Sequence, residues 1–319
     1  MRSDLSTRIG DLRVRKTTTA KTSLMAAPDG TTLRTALLVT GASEGIGVEL
    51  ARAFADTADE IVLIARRADK LSETSKMLSK RLDQPVHPLA VDLTDDDALA
   101  RIDAFLDEKK LAVRVLINNA GVAYAGVALD QHPQTLATML DLNMRVPALL
   151  THRFLPGMMR EGAGGVVNIS SLGGFYPGPY QAHYYATKAY LNSLGKALNY
   201  EAGSMGVRVL TVAPGPVGTR IHAKMGSDNA LYRYVLPSLS AERVANDSRW
   251  AYALGRRTLV PGIVNRLMSI ISGVVPHVVL MPLLALLLRP PQATRLKSRD
   301  KSTLGQTRVE ETGVGVGSE

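Results

Sequence analysis

The sequence predicts an α/β fold: a doubly wound parallel sheet in a single domain, with an apolar helical C-terminal extension. Three observations point there. Short Val/Ile/Leu-rich runs recur along the chain with little polar alternation, as strands do when both sheet faces are covered. Stretches of helical length separate them, and strand–helix alternation selects crossover connections and a parallel sheet. The first run ends in a glycine-rich turn that leads directly into a helical stretch.

The strands are expected in this order: "TALLVT" (35–40), "EIVLIA" (60–65), "VHPLAVDL" (86–93), "VRVLINNAG" (113–121), "GVVNISS" (165–171), "VRVLTVAPG" (207–215) and a short last one, "RTLVP" (257–261). Each closes on Gly, Asn, Asp, Ser or Pro, the residues that end extended structure. Helices are expected after the first strand in "GVELARAFADTA" (47–58), then in "DKLSETSKMLSKRL" (69–82) and "HYYATKAYLNSLGKALNYEA" (183–202). No internal repeat is present.

Composition fits a globular chain. Of its 319 residues 45% are hydrophobic and 21% charged, enough to bury a substantial core. With no cysteine, disulfides and thiolate metal sites are excluded, a cytoplasmic protein is expected, and no metal site is predicted. The net charge of +9 raises the question of nucleic acid, but the excess is uneven. Residues 1–34 carry seven Lys/Arg against three Asp, and residues 289–319 six against four, which leaves only +3 for the middle. No basic stripe with interleaved aromatics appears, so no nucleic-acid partner is expected. Residues 1–34 read as a flexible basic leader without the apolar stretch of a secretory signal, with Met25 an alternative start. Residues 292–319 lack periodicity and read as a disordered tail.

The turn "TGASEGIG" (40–47) carries the first chemical signal. Gly41, Gly45 and Gly47 allow tight turning and close backbone approach, and the following helix N-terminus offers free N–H groups to a pyrophosphate. Thr40, Ser43, Glu44 and Ile46 complete this candidate nucleotide cradle. At the end of the second strand, where a carboxylate commonly holds a ribose hydroxyl, the chain has Ala65, Arg66 and Arg67. A guanidinium pairs with a 2′-phosphate where a carboxylate would repel it, so NADP(H) is favoured over NAD(H), with Arg66 the contact. Asp92, closing the third strand, is placed to meet the adenine. Asn119, Ala120 and Gly121 of "NNAG" close the fourth strand beside the adenine ribose.

The second signal is "HYYATK" (183–188). Tyr184 and Lys188 are four apart on a predicted helix and share a face. A nearby ammonium favours the phenolate, making a group able to protonate a developing alkoxide or to accept the proton in reverse. Ser171, thirteen residues earlier, can polarise a carbonyl oxygen. Tyr185 also reaches Lys188, at three residues, so helix geometry alone does not choose between the tyrosines.

With "TGASEGIG", "NNAG", "DLNMRVPAL", "NISS", "YYATK" and "PGPVGT" in this order over roughly residues 35–262, the chain resembles the short-chain dehydrogenase/reductase family. The resemblance implies a Rossmann-type catalytic domain over 35–262 and an NAD(P)-dependent oxidoreductase. Its Y-x-x-x-K pattern selects Tyr184 as general acid/base. It also implies that Lys188 assists Tyr184 and holds the nicotinamide ribose, that Ser171 positions the substrate oxygen, and that Asn143 supports a water-linked proton path to Lys188. Tyr184 and Lys188 thereby also count as cofactor contacts. Pro214, Gly215, Val217 and Thr219 match the segment that touches the nicotinamide amide. Many NADP-preferring members carry a cation just before the second motif glycine; this chain has Glu44, so Arg66 is left with most of the 2′-phosphate contact.

The expected reaction interconverts a ketone and a secondary alcohol. Phe175, Tyr176 and Tyr180, in the segment after Ser171, would give an apolar, aromatic wall to the substrate site alongside Ser171 and Tyr184, suiting a lipid, acyl or steroid-like carbonyl. A 3-oxoacyl reductase on a carrier- or CoA-bound chain is the alternative, and a non-catalytic nucleotide-binding regulator a more distant one. A homodimer or homotetramer is expected. Residues 267–288 are 22 without formal charge, but Pro276 and Pro282 argue against one straight span. The extension, 263–291, is therefore expected to form packed or peripheral apolar helices that close the pocket, pair subunits or lie on a membrane surface.

Overall fold

The computed structural model of the protein describes residues 25–26, 32–218 and 238–289. Seven parallel strands form its sheet: β1 (Thr32–Thr40), β2 (Glu60–Ala65), β3 (Val86–Ala90), β4 (Leu111–Asn118), β5 (Gly165–Ile169), β6 (Arg208–Val212) and β7 (Thr258–Leu259). Their spatial order is β3-β2-β1-β4-β5-β6-β7, so the chain reverses direction across the sheet between β1 and β4. Such a reversal opens a crevice at the carboxyl ends of the strands, and the site lies there. Several strand ends differ from expectation, two of them with a visible cause. Met25–Ala26 pairs antiparallel with Thr32 and Leu33, so β1 begins within the stretch assigned to a flexible leader, because backbone pairing orders it. The third strand stops at Ala90 rather than Leu93, where Asp92 turns the chain by accepting from the Thr94 N–H and hydroxyl.

Helices flank the sheet: α1 (Ile46–Ala53), α2 (Ala68–Leu82), α3 (Ala98–Lys109), α4 (Pro133–Leu140), α5 (Val146–Glu161), α6 (Ala182–Gly203) and α7 (Ala241–Ala253). Their buried residues recur at helical spacing, as in α2 with Leu71, Thr74, Ser75 and Leu78. The run of apolar residues in each strand is explained by two cores. Leu37, Val39, Ile61 and Leu63 face one, with α1, α2 and α7; Ala36, Leu38, Val62 and Ile64 face the other, with α3 and α5. Alternate residues of the same strands thus serve opposite faces.

The extension folds as two short helices, α8 (Ile263–Val274) and α9 (His277–Leu288), broken at Val275–Pro276. Each has 12 residues, about 18 Å of helix against the ~30 Å of a bilayer core. Among the described residues no helix is long and apolar enough to cross a membrane. Leu280, Leu284 and Leu288, at helical spacing on α9, are buried in a third cluster with Leu172, Tyr176, Tyr185, Ala213 and Val260. The extension therefore packs against the segment that follows β5. Its other face leaves Ile263, Leu267, Ile270, Val274, Val278 and Leu283 exposed.

Candidate active site

A cleft of about 1250 Å³ runs along the carboxyl ends of the strands. One end is built by the turn between β1 and α1. Gly41 and Gly45 have φ of +66° and +64°, a region that side chains disfavour. A Cβ at Gly41 would stand 2.8 Å from the Ala120 Cα, and one at Gly47 2.5 Å from the Gly41 carbonyl oxygen. The loop is thus pressed against the end of β4, with no room for a side chain at Gly41 or Gly47. Gly41, Ser43, Glu44, Gly45 and Ile46 line the cleft, whereas Gly47 packs behind the turn. Gly45 caps α1 without a side-chain hydrogen bond, so no side chain of its own competes for the first N–H groups. Thr40 ties the two strand ends together: its hydroxyl donates to the Ile117 carbonyl and accepts from the Asn119 and Ala120 N–H groups. Asn119 donates in return to the Thr40 and Gly41 carbonyls. Asn119, Ala120 and Gly121 all face the cleft.

Beside this turn stand three cations, Arg66, Arg67 and Lys70, and two carboxylates. Glu44 is held by Lys70 at 2.7 Å and by Arg67 at 3.1 Å. Arg67 also reaches the Ser43 hydroxyl at 3.5 Å. Arg66 lies 3.5 Å from Asp92, with 63% of its side chain exposed. Burial acts to raise the Asp92 pKa, but the Thr94 hydrogen bonds and the Arg66 cation outweigh it and hold the carboxyl below its ordinary value. The sequence singled out Arg66 alone. Lys70 went unnoticed because it lies in the first turn of α2, past the strand end, and only the fold brings it to Glu44.

The other end is built from β5 and α6. Lys188, 5% exposed, donates to the Ile169 carbonyl at 2.9 Å, and its burial lowers its pKa from 10.5 to about 8. Its Nζ is 5.8 Å from the Tyr184 ring centroid. The Ser171 hydroxyl accepts from the Gly173 N–H at 3.1 Å. Ser171, Tyr184 and Lys188 all line the cleft. Tyr185 borders it too, but its ring is buried edge-on against Tyr176 at 5.8 Å. Gly173 and Gly178 leave no room for a side chain where they meet that ring.

Asn143 does not line the cleft. It is fully buried in a single π-helical turn, Asp141–Arg145, between α4 and α5. Its amide accepts from the Val122 N–H and donates to the Val122 carbonyl and the Thr187 hydroxyl, at 2.8 to 3.1 Å. It thereby couples the loop after β4 to α6. Gly121 gives the space: a Cβ there would meet Asn143 at 3.1 Å and the Lys188 Nζ at 3.5 Å. Thr187 and Ser170, whose hydroxyl donates to the Lys188 carbonyl, are supporting groups the sequence reading missed.

Pro214, Gly215 and Val217 line the cleft; Thr219 lies outside the described residues. Of the expected aromatic wall, Tyr176 lines the cleft, and burial pushes its hydroxyl up to about 12, so it stays protonated. Phe175 and Tyr180 are not on the lining. Phe175 faces an adjoining apolar crevice and carries Lys196 over its ring, and Tyr180 is held in a backbone turn. Among the described residues no group of acidic or histidine side chains could hold a metal.

The glycine turn, the Tyr–Lys pair and the order of the segments agree with the family model of short chain dehydrogenase, which matches residues 35–230. The chain belongs to this family. It is an NAD(P)-dependent oxidoreductase, and such enzymes act on small carbonyl or alcohol molecules. It is 36% identical to sulfoacetaldehyde reductase 2 of Chromohalobacter salexigens over 216 residues, 66% of this chain and 84% of that protein. It is 34% identical to the very-long-chain 3-oxoacyl-CoA reductase of Bos taurus over 188 residues, 58% of this chain and 60% of that one. A short-chain dehydrogenase from Sphingobium yanoikuyae in complex with NADPH superposes with a TM-score of 0.66 at 28% identity, covering 77% of this chain and 95% of its own.

Proposed function

We propose that this dehydrogenase interconverts a ketone and a secondary alcohol on an apolar substrate, with NADP(H) favoured over NAD(H). One observation carries the reading: Tyr184, Lys188 and Ser171 line a single cleft with the glycine turn and with Arg66, Arg67 and Lys70. The residues fit a dinucleotide, since the positive-φ glycines leave backbone rather than side chains facing the pyrophosphate position. Three cations against two carboxylates leave net positive charge where a 2′-phosphate would lie, and Glu44 is already paired. When bound, the nicotinamide supplies hydride to the substrate carbon or accepts it.

The chain's own residues handle the proton. In reduction Tyr184 gives its hydroxyl proton to the carbonyl oxygen; in oxidation it takes that proton back. The buried Lys188 ammonium favours the phenolate, and its bond to Ile169 fixes its place. The Ser171 hydroxyl, accepting from Gly173, retains its own proton to donate to the substrate oxygen. Asn143 is a positioning residue that sets the spacing of the Val122 loop and α6.

Leu172, Tyr176 and Tyr185, backed by the α9 leucines, support an apolar substrate. They support equally the second reading, a 3-oxoacyl reductase, which the name of the Bos taurus relative also favours. In this proposal residues 35–262 form the catalytic unit and the α8–α9 extension, residues 263–288, covers its wall. The outward Ile, Leu and Val side chains of the extension suit a second subunit or a lipid surface. A panel of ketones with NADPH and NADH, followed by absorbance loss, tests the reading: no turnover with any ketone would refute it.

A further inference from the structure

The polarity of α8 is inside out. Ile263, Leu267, Ile270 and Val274 recur at helical spacing and form one stripe, and that stripe is the exposed side of the helix. Ile263 and Val274, at its two ends, are 80% and 79% exposed. Polar residues sit on the inward side instead. Asn265 and Ser272 are buried, the first donating to the Pro261 carbonyl and the second to the Ser269 carbonyl. A helix that packs on a core from the surface shows the opposite arrangement. In α9 both sides are apolar: Leu280, Leu284 and Leu288 pack on the cleft wall, while Val278, Leu283 and Leu286 are exposed. Two consecutive helices thus each leave an apolar side uncovered, and such surfaces mark contacts with a partner or a membrane.

Charge and hydrogen-bonding capacity choose between the occupants. No Asp or Glu occurs from residue 248 to residue 299, whereas eight Lys and Arg do. Arg266 and Arg289 are exposed and bracket the uncharged run 267–288. A second copy paired through this surface about a two-fold axis would set its arginines near these, with no carboxylate in the segment to answer them. Protein interfaces also carry about one hydrogen bond per 100–200 Å². Here Ser269 and Ser272 donate to carbonyls of their own helix, and Asn265 is buried. Among the described side chains of residues 263–289, the two arginines are what remains to donate outward. A bilayer asks for no directional bonds from apolar contacts, and anionic headgroups answer the arginines.

We infer that α8 and α9 dock the protein on an anionic lipid surface. The two helices lie in the plane of the interface. The α8 stripe and the outer α9 side chains enter the boundary between headgroups and acyl chains, and Arg266 and Arg289 reach the phosphates. The break at Val275–Pro276 suits this placement, since it separates two helices each too short to span. The inner side of α9 stays on the cleft wall, so one helix touches both the lipid and the site. This inference is independent of the carbonyl chemistry proposed above.

The test is flotation of the full-length protein with phosphatidylcholine vesicles, prepared with and without phosphatidylserine. The wild type should float with the phosphatidylserine vesicles and bind the others more weakly. Ile270→Glu and Leu283→Glu change exposed side chains, so the melting temperature should hold. Each should weaken vesicle binding about tenfold or more, the scale of one apolar side chain withdrawn from lipid. Arg266→Ala with Arg289→Ala should cut the gain from phosphatidylserine about fivefold per arginine and leave binding to phosphatidylcholine alone unchanged. No flotation with either vesicle, equal binding to both, or glutamate variants that bind as the wild type does would overturn the inference. So would sedimentation velocity showing an oligomer that the glutamate variants split, which would assign the surface to a second copy. Flotation uses neither substrate nor turnover, so its failure leaves the reductase reading standing, and a lack of reductase activity leaves the docking standing.

Discussion

Lys188→Met should make the protein more stable while disabling it. Lys188 is buried, and its pKa is lowered from 10.5 to about 8. At about 1.4 kcal/mol per decade, burying its charged form costs about 3 kcal/mol. Below about pH 8 the lysine is charged in both folded and unfolded chains, so folding bears the whole cost. Between about 8 and 10.5 the unfolded chain holds a proton the folded chain has released, and stability rises with pH across that window. Methionine removes the cost but orphans the Ile169 carbonyl, which now accepts from Nζ at 2.9 Å; that loss is about 1 kcal/mol. The net gain near pH 7 is about 2 kcal/mol, or roughly 4–8 °C in melting temperature. Melting curves of cofactor-free wild type and variant at pH 7 and pH 10 measure it, and the gap should close at the higher pH. Activity should run the other way, with kcat/KM of the wild type falling above about pH 8 as the cation beside Tyr184 is lost. A variant less stable at pH 7, or a gap that ignores pH, would refute the reasoning.

Tyr184→Phe should lower turnover by about 10²-fold or more, the scale of general acid catalysis, while Tyr185→Phe keeps most of it; the reverse pattern in steady-state rates would move the proton donor to Tyr185. Arg66→Ala combined with Lys70→Ala should weaken NADPH binding by about 10- to 100-fold, the scale of charge-assisted hydrogen bonds, and spare NADH. Fluorescence titration with both nucleotides checks this, and equal losses would make the two cations structural. Leu284→Ala removes one of the α9 side chains buried against the cleft wall and should cost about 2–4 kcal/mol in denaturant unfolding. It should also raise KM for apolar ketones, whereas unchanged stability would place α9 away from the wall in solution.

The sequence alone determined the strands, several of the helices and the candidate chemistry, because these are local. An apolar, β-branched run of four to eight residues between turn residues is too short for most helices and suits a buried strand. Glycines at the turn into a helix make a backbone cradle, and Tyr184 and Lys188 share a face because a helix repeats every 3.6 residues. The break at Pro276 followed from proline's missing N–H, whereas Pro282, given the same weight in the sequence, lies within α9. What the sequence left open depends on partners distant along the chain. Helix spacing treats the two adjacent tyrosines alike, and only the family pattern chose between them; the packing of Tyr176, Gly173 and Gly178 around the Tyr185 ring is a property of the fold. Lys70 and Arg67 meet Glu44 across more than twenty positions, so only the β1–β2 pairing brings them to the glycine turn. Residues 267–288 are apolar enough for several fates; the cluster of Leu280, Leu284 and Leu288 with Leu172, Tyr176 and Tyr185 turns them onto the cleft wall.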